Sequence, residues 1–243
     1  MTRSEKIKVF GFAEFGELAD MSPFVTKLES YLRLAELPYD KRAGDPRKAP
    51  RNKLPFMIHE GRSVPDSQGI IDYLREQGIA DLDSELDPDQ RAELCMLRSM
   101  LELDLAFVLS HFRWVTDRGW AGWRSTVEGV LRNAGVPGLL VPLVLRSARK
   151  NVIAHSLAQG TGRREVDENL AHAREIFATL DHCVARHEGP WWFGAQPSSA
   201  DAIIHAFVGH AILPKLGLPT ESLADQHPRL RAWFDHVHER VSA

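Results

Sequence analysis

The chain has 243 residues, 44% of them hydrophobic and 26% charged, with 17 glycines and 14 prolines; it suits a globular protein of one large or two ordinary domains and excludes collagen-like or broadly disordered chains. Its 30 basic and 33 acidic residues leave a net charge of −3, which gives no electrostatic footprint for a dedicated nucleic-acid binder. Two cysteines, Cys95 and Cys183, are too few for a disulfide framework or a cysteine-rich zinc site, and they fit a reducing compartment.

In chain order, the N-terminal stretch MTRSEKIKVFGF has charges but no apolar core of the length a secretory signal needs. Ile7, Val9 and Phe10 form a short β-prone run. Ser22 to Glu36 then places Phe24, Leu28, Tyr31, Leu32 and Ala35 at helical spacing, and Leu37 to Lys41 is extended again. Phe56-Met57-Ile58, a corner at Glu60-Gly61 and Arg62 to Pro65 predict a hairpin, followed by a helix from Ser67 with Ile70, Ile71 and Leu74 on one face. The order is βαβ then ββα. Gly78 to Pro88 is acidic and aperiodic, which predicts a first domain over 1–78, a linker over 79–88 and a second domain over 89–243.

Beyond Pro88 the pattern is helical only. Leu94, Leu97, Leu101, Leu105, Val108 and Phe112 recur at steps of three and four, as do Val166, Leu170, Ala173, Phe177, Leu180 and Val184. Two further helices carry Ile203, Ile204, Phe207, Val208 and Ala211, then Leu230, Trp233, Phe234, Val237 and Val241. The most apolar run, Val136 to Leu145, is about half the ~20 residues a spanning helix needs and contains Pro137 and Pro142. It does not predict a membrane span, and the expected location is cytoplasmic.

This succession resembles the glutathione transferase fold: an α/β thioredoxin-like domain (βαβ-ββα) followed by an all-α helical domain. Local motifs carry the resemblance further. Pro55, in Asn52-Lys53-Leu54-Pro55-Phe56, stands just before a strand, where proline alone reads as a trans strand-starter. In transferases the matching proline is cis, and the backbone of the residue before it, here Leu54, pairs with the cysteinyl unit of glutathione. Asp66-Ser67 follows eleven residues later at a helix start. Ser67 suits an N-cap; the resemblance adds that it and the helix N-terminus would hold the γ-glutamyl carboxylate while Asp66 meets the α-ammonium. Ser22-Pro23 opens the first helix, again with a good cap and a tolerated proline. In serine-type transferases this hydroxyl donates to the glutathione sulfur, which raises the thiolate fraction of a thiol that otherwise titrates near 8.5.

Ser22-Pro23-Phe24-Val25-Thr26-Lys27-Leu28-Glu29 is similar to the S-P-F-C-x-K-x-E segment of the metaxin and failed-axon-connections (Fax) branch, as are Asp66 to Ile71 and Gly160-Thr161-Gly162-Arg163. Val25 replaces the cysteine of that motif, so thiol redox chemistry at the helix start is not expected. Six basic residues against Asp45 between Lys41 and Lys53 make a local excess of +5. Such a run usually is a solvated face; the resemblance implies that Lys53 meets the glycyl carboxylate of glutathione and that the others steer an anion. Gly194 to Asp201 resembles the transferase G-x-x-P-[ST]-x-A-D segment, with Ser198 and Asp201 as a capping box. Phe24, His111 and Trp114 are candidates for the electrophile pocket. None of the eleven histidines has metal-ligand spacing, so no metal is expected. The resemblance implies a protein that binds glutathione and activates its thiolate against a hydrophobic electrophile, with a homodimer as the family's habit. Two alternatives stand beside it: a non-catalytic metaxin- or Fax-like binding module, and a glutathione-dependent lyase or dehalogenase.

Overall fold

A computed structural model describes residues 7–242. Four strands, β1 (Ile7–Gly11), β2 (Tyr39–Ala43), β3 (Phe56–His59) and β4 (Arg62–Pro65), form one mixed sheet in the order β2-β1-β3-β4. β1 runs parallel to β2, with Val9 opposite Lys41, and antiparallel to β3, with Val9 opposite Met57. The β3–β4 hairpin turns through Glu60 and Gly61, both at positive φ. Val9 and Met57 point into the core, whereas Phe10 and Phe56 stack on the other face with ring centroids 4.3 Å apart.

Helix α1 (Pro23–Leu34) crosses between β1 and β2, and α2 (Ser67–Glu76) follows β4. Both pack on the sheet through the residues read from periodicity: Leu28, Tyr31 and Leu32 from α1, and Ile70, Ile71 and Leu74 from α2. α1 is buried on more than that face. Thr26, Lys27, Glu29 and Ser30 are enclosed as well, because α8 (Ser199–Ile212) covers the side of α1 turned away from the sheet. Every residue of α8 is buried, so the contact is sealed from water.

The helical region continues through α3 (Pro88–Ser99) and α4 (Ala106–Ser110), interrupted by π-helical turns at Met100–Leu105 and His111–Val115. The single long amphipathic helix read over 94–112 is therefore continuous in direction but twice widened, as π-bulges do inside α-helices. Then come α5 (Asp117–Asn133), α6 (Val141–Gln159), α7 (Val166–Val184), α8 and α9 (Pro228–Ser242). One hydrophobic cluster runs from Val9 and Met57 in the sheet to Phe207 and Phe234 in the helices and Trp192 in the turn before α8. The 79–88 segment is fastened to it: the Asp83 carboxylate accepts from the Ser199 backbone N–H at 2.8 Å and from its hydroxyl at 2.7 Å. At the start of α8, Ser198 and Asp201 form the reciprocal capping box, and Asp201 also accepts from the Trp192 backbone N–H at 2.7 Å.

Candidate functional site

The first turns of α1 and α2 and the loop before β3 converge at one end of the sheet. Val25, Ala49 and Leu54 share a buried cluster with Phe10, Phe12 and Phe56, which brings the loop before β3 against the first turn of α1. The Asp66 backbone N–H donates to the Pro55 carbonyl at 3.1 Å, so the α2 start lies beside the same loop. The Leu54–Pro55 peptide bond is cis. Ser22, Leu54, Pro55, Asp66 and Ser67 thus stand on neighbouring elements around one edge, with Lys53 exposed next to them.

Two cap readings are refined by the geometry. Asp66, not Ser67, is the N-cap of α2: its φ is 72° and its carboxylate accepts from the backbone N–H groups of Gln68 at 2.9 Å and Gly69 at 3.4 Å. Ser67 is the first helical residue and is buried. Ser22 does occupy the N-cap position of α1, yet its hydroxyl makes no cap bond and has no partner among the described residues. Its backbone N–H donates to Asp20 Oδ1 at 2.9 Å. The hydroxyl is half-buried at the positive end of a twelve-residue helix, free to donate outward.

Asp20 belongs to a polar network that the sequence reading missed. The 13–21 loop closes on β1 because Gly11 has no side chain: a Cβ there would lie 2.7 Å from Val25 Cγ1 and 2.8 Å from Asp20 Oδ2. Lys41 Nζ reaches Glu29 at 2.7 Å and Asp20 at 3.1 Å and also donates to the Ala19 carbonyl. Burial pushes the Asp20 carboxyl up to about 7, against the opposing pull of Lys41. Lys41 is therefore paired inward with two carboxylates. Arg42 pairs with Asp40 at 2.6 Å and Arg47 with Asp45 at 2.9 Å. Of the basic stretch, Lys48, Arg51 and Lys53 are exposed with no carboxylate partner among the described residues.

A second chain of bonds enters from the helical region. Arg113 directs two guanidinium nitrogens at His210 Nδ1, each at 3.1 Å, and a third bond of 2.6 Å at the His210 carbonyl. Arginine only donates, so Nδ1 must accept and the ring proton sits on Nε2. From there it donates to Thr26 Oγ1 at 3.1 Å, which in turn donates to the Asp20 carbonyl at 3.1 Å. Burial and the adjacent Arg113 charge hold His210 well below the usual histidine range. Burial also depresses Arg113, to about 9. Its cation lies over the Trp123 ring at 4.7 Å and the Phe15 ring at 5.7 Å. The residues just before Ser22 are thus held from the helical region by Arg113, His210 and Thr26 in series.

Lys27, in the same motif, is 1% exposed and reaches Glu102 Oε1 at 2.7 Å and Gln68 Oε1 at 2.8 Å. It joins α1 to the start of α2 and to the first π-helical turn. Burial lowers its pKa, and Glu102 works in the opposite direction. Charged side chains at Lys27 and Glu29 among the apolar positions of α1 were the available signal. Val25, standing where the family motif has cysteine, is wholly buried, so its side chain packs and faces no ligand.

Of the pocket candidates, Trp114 sits in an aromatic cluster with Trp120, Trp123, Phe12, Phe15 and Met21, directly beside the Ser22 loop. Phe24 turns elsewhere and packs edge-on against Phe207 in the main core. His111 is buried, with neither ring nitrogen hydrogen-bonded among the described residues, and burial lowers its pKa. A separate cleft, lined by Leu34, Leu82, Trp191 and Arg240, opens at the opposite end of α1; it includes Ser198 of the α8 capping box but none of the candidate glutathione or electrophile residues. No cluster of metal-ligating side chains occurs among the described residues.

Family models for the glutathione S-transferase N-terminal domain and C-terminal domain match residues 23–119 and 163–236. The chain belongs to the glutathione S-transferase superfamily. It is 27% identical to the isoprene-epoxide glutathione S-transferase of Rhodococcus sp. strain AD45, covering 94% of this chain and 99% of that protein. It is 25% identical to Failed axon connections of Drosophila melanogaster over 82% of this chain, which spans about half (49%) of that protein. Among solved structures, beta-etherase LigF from Sphingobium sp. strain SYK-6 superposes with a TM-score of 0.61 at 16% identity, over 97% of this chain and 98% of that one. A glutathione S-transferase I structure bound with lactoylglutathione gives 0.59 at 15% identity, over 98% of each. These two establish the transferase fold of this superfamily member, with its α/β N-terminal and helical C-terminal regions.

Proposed function

We propose that this protein is a cytoplasmic glutathione transferase that adds the glutathione thiolate to a small hydrophobic electrophile, an epoxide being the class to try first. The observation that carries the proposal is the Ser22 hydroxyl, at the positive end of α1 and without a protein partner among the described residues. A donor there, together with the helix N-terminus, favours thiolate over thiol. The Leu54 backbone pairs with the cysteinyl unit, Lys53 with the glycyl carboxylate, and Asp66 and Ser67 with the γ-glutamyl end. Trp114 and the rings around it line the electrophile's side. The sulfur lone pair attacks an epoxide carbon, the C–O bond breaks, and the resulting alkoxide takes a proton. The full-length likeness to an isoprene-epoxide transferase supports the electrophile class.

The test combines calorimetric titration with reduced glutathione and mass-spectrometric detection of the thioether formed with an alkyl epoxide. Ser22→Ala is expected to lower kcat about 100-fold or more while changing glutathione affinity little. Equal activity in Ser22→Ala removes that residue from the mechanism. Glutathione binding is expected to disappear when Asp66 and Ser67 are both replaced by alanine. Absence of binding in the unaltered protein overturns the proposal and favours a non-catalytic module, the reading that the likeness to Failed axon connections supports.

A further inference from the structure

The α5–α6 pair ends in a turn whose composition the site does not use. From Gly129 to Arg164 there are six arginine or lysine residues and no aspartate or glutamate, in a chain whose net charge is −3. Within this stretch the apolar run divides in two. Val141 and Leu145 face inward and join Trp123 and Val127 in the aromatic cluster. Leu139, Leu143 and Leu140 face out, 96%, 66% and 49% exposed, with Pro137 and Pro142 exposed among them. The core has no need of these three leucines, and a contiguous exposed apolar patch on a folded protein marks a surface that meets something else.

The surroundings of the patch indicate what that is. Arg132 lies beside Gly138 at the turn, and Arg146 and Lys150 follow within the first three turns of α6, all three exposed. Arg149 is turned inward, onto the Trp114 and Val115 carbonyls and Asp117. The nearest carboxylate along α5, Glu128, is paired with Arg124 at 2.8 Å. The N-terminus of the nineteen-residue α6 also points its positive end at the turn. A protruding apolar tip ringed by cations matches the interface of an anionic bilayer, where leucines enter the acyl boundary and basic side chains meet headgroups. It matches a second copy of this chain poorly, since a symmetric tip-to-tip contact would set Arg132, Arg146 and Lys150 against their own copies.

We propose that the α5–α6 turn is a peripheral membrane contact that seats Leu139, Leu140 and Leu143 in an anionic lipid surface. No helix among the described residues is long and apolar enough to cross a membrane, so the attachment is reversible and interfacial. It would bring the aromatic cluster beside Ser22 close to a phase in which hydrophobic electrophiles concentrate, yet it does not depend on the catalytic proposal. The experiment is co-sedimentation of the full chain with vesicles of phosphatidylcholine alone or phosphatidylcholine mixed with phosphatidylglycerol. Binding to the anionic vesicles is expected to be about tenfold tighter or more, and to weaken as salt rises. Leu139→Asp with Leu143→Asp, and separately Arg132→Ser with Arg146→Ser and Lys150→Ser, should each lose about tenfold or more with an unchanged unfolding midpoint, because these side chains are exposed. No sedimentation, equal binding to both vesicle types, or full binding by the leucine variant overturns the proposal. So does a lipid-free dimer that the leucine variant converts to monomer, which would assign the tip to contact between copies.

Discussion

Thr26 shows how much depends on one hydroxyl. It takes the proton of His210 Nε2 and gives its own to the Asp20 carbonyl, two residues before Ser22. Thr26→Val keeps the shape and removes both bonds, leaving a buried N–H and a buried carbonyl unsatisfied. The expected loss is about 1–3 kcal/mol of unfolding free energy, read from urea denaturation, with Thr26→Ser restoring most of it. Stability unchanged in Thr26→Val would mean that the series from Arg113 does not hold the loop. A Ser-Pro pair at a helix start is a local pattern that marks Ser22 as a cap, and the family resemblance singled out its hydroxyl as the donor to sulfur. The sequence could not point to Thr26, whose partner is 184 residues away, nor to Asp66 as the cap instead of Ser67. Adjacent Asp and Ser are both good caps, and only the backbone at φ 72° decides between them.

At the scale of the element, α1 is the least ordinary helix in the molecule. Periodicity correctly placed Leu28, Tyr31 and Leu32 against the sheet and four helical runs beyond Pro88, but it did not read α5 or α6. Periodicity assumes one dry face and one wet face, however, and α8 encloses the polar side of α1 as well. Lys27 is the clearest consequence. It is 1% exposed while its partner Glu102 is 18% exposed, so the two halves of the pair are not equivalent. Glu102→Ala strands a buried ammonium and is expected to cost about 3–5 kcal/mol. Lys27→Met removes the buried charge and leaves a carboxylate that water can reach, for a smaller loss of about 1–3 kcal/mol. Chemical denaturation of the two variants checks the order. A larger loss in Lys27→Met would show that Glu102, not Lys27, bears the burial cost.

Across the whole molecule, buried titratable groups give stability two opposing slopes with pH. Burial drops His205 from 6.5 to about 3, and His210 also lies well below its usual range; both are neutral in the fold. Folded values below unfolded ones mean that their contribution is present above about 6.5 and is lost as pH falls below it, for His205 down toward about 3. Asp20 and Asp201 behave oppositely. Their folded values, about 7 and about 6, lie above the ordinary 3.8, so their contribution is present below 3.8 and is lost as pH rises through the folded values. His205 Nε2 meets His238 Nδ1 at 3.0 Å, and its ring stacks on Phe234, so phenylalanine fits the site in shape. The gap in thermal midpoint between the unaltered protein and His205→Phe is expected to be widest near neutrality and to narrow as pH falls from 6.5 toward 4. A gap constant with pH would show that His205 does not titrate on unfolding.

The Asp83–Ser199 clip bears on how this architecture can be taken apart. Asp83 lies in the segment that the sequence marks as a joint, and it caps a helix more than a hundred residues further on, inside a core that both halves share. A joint that is itself a packed part does not act as a hinge. Cutting the backbone within 79–88 would leave two pieces still held together by their common interior. Each half made alone would present to water a face that evolved never to meet it.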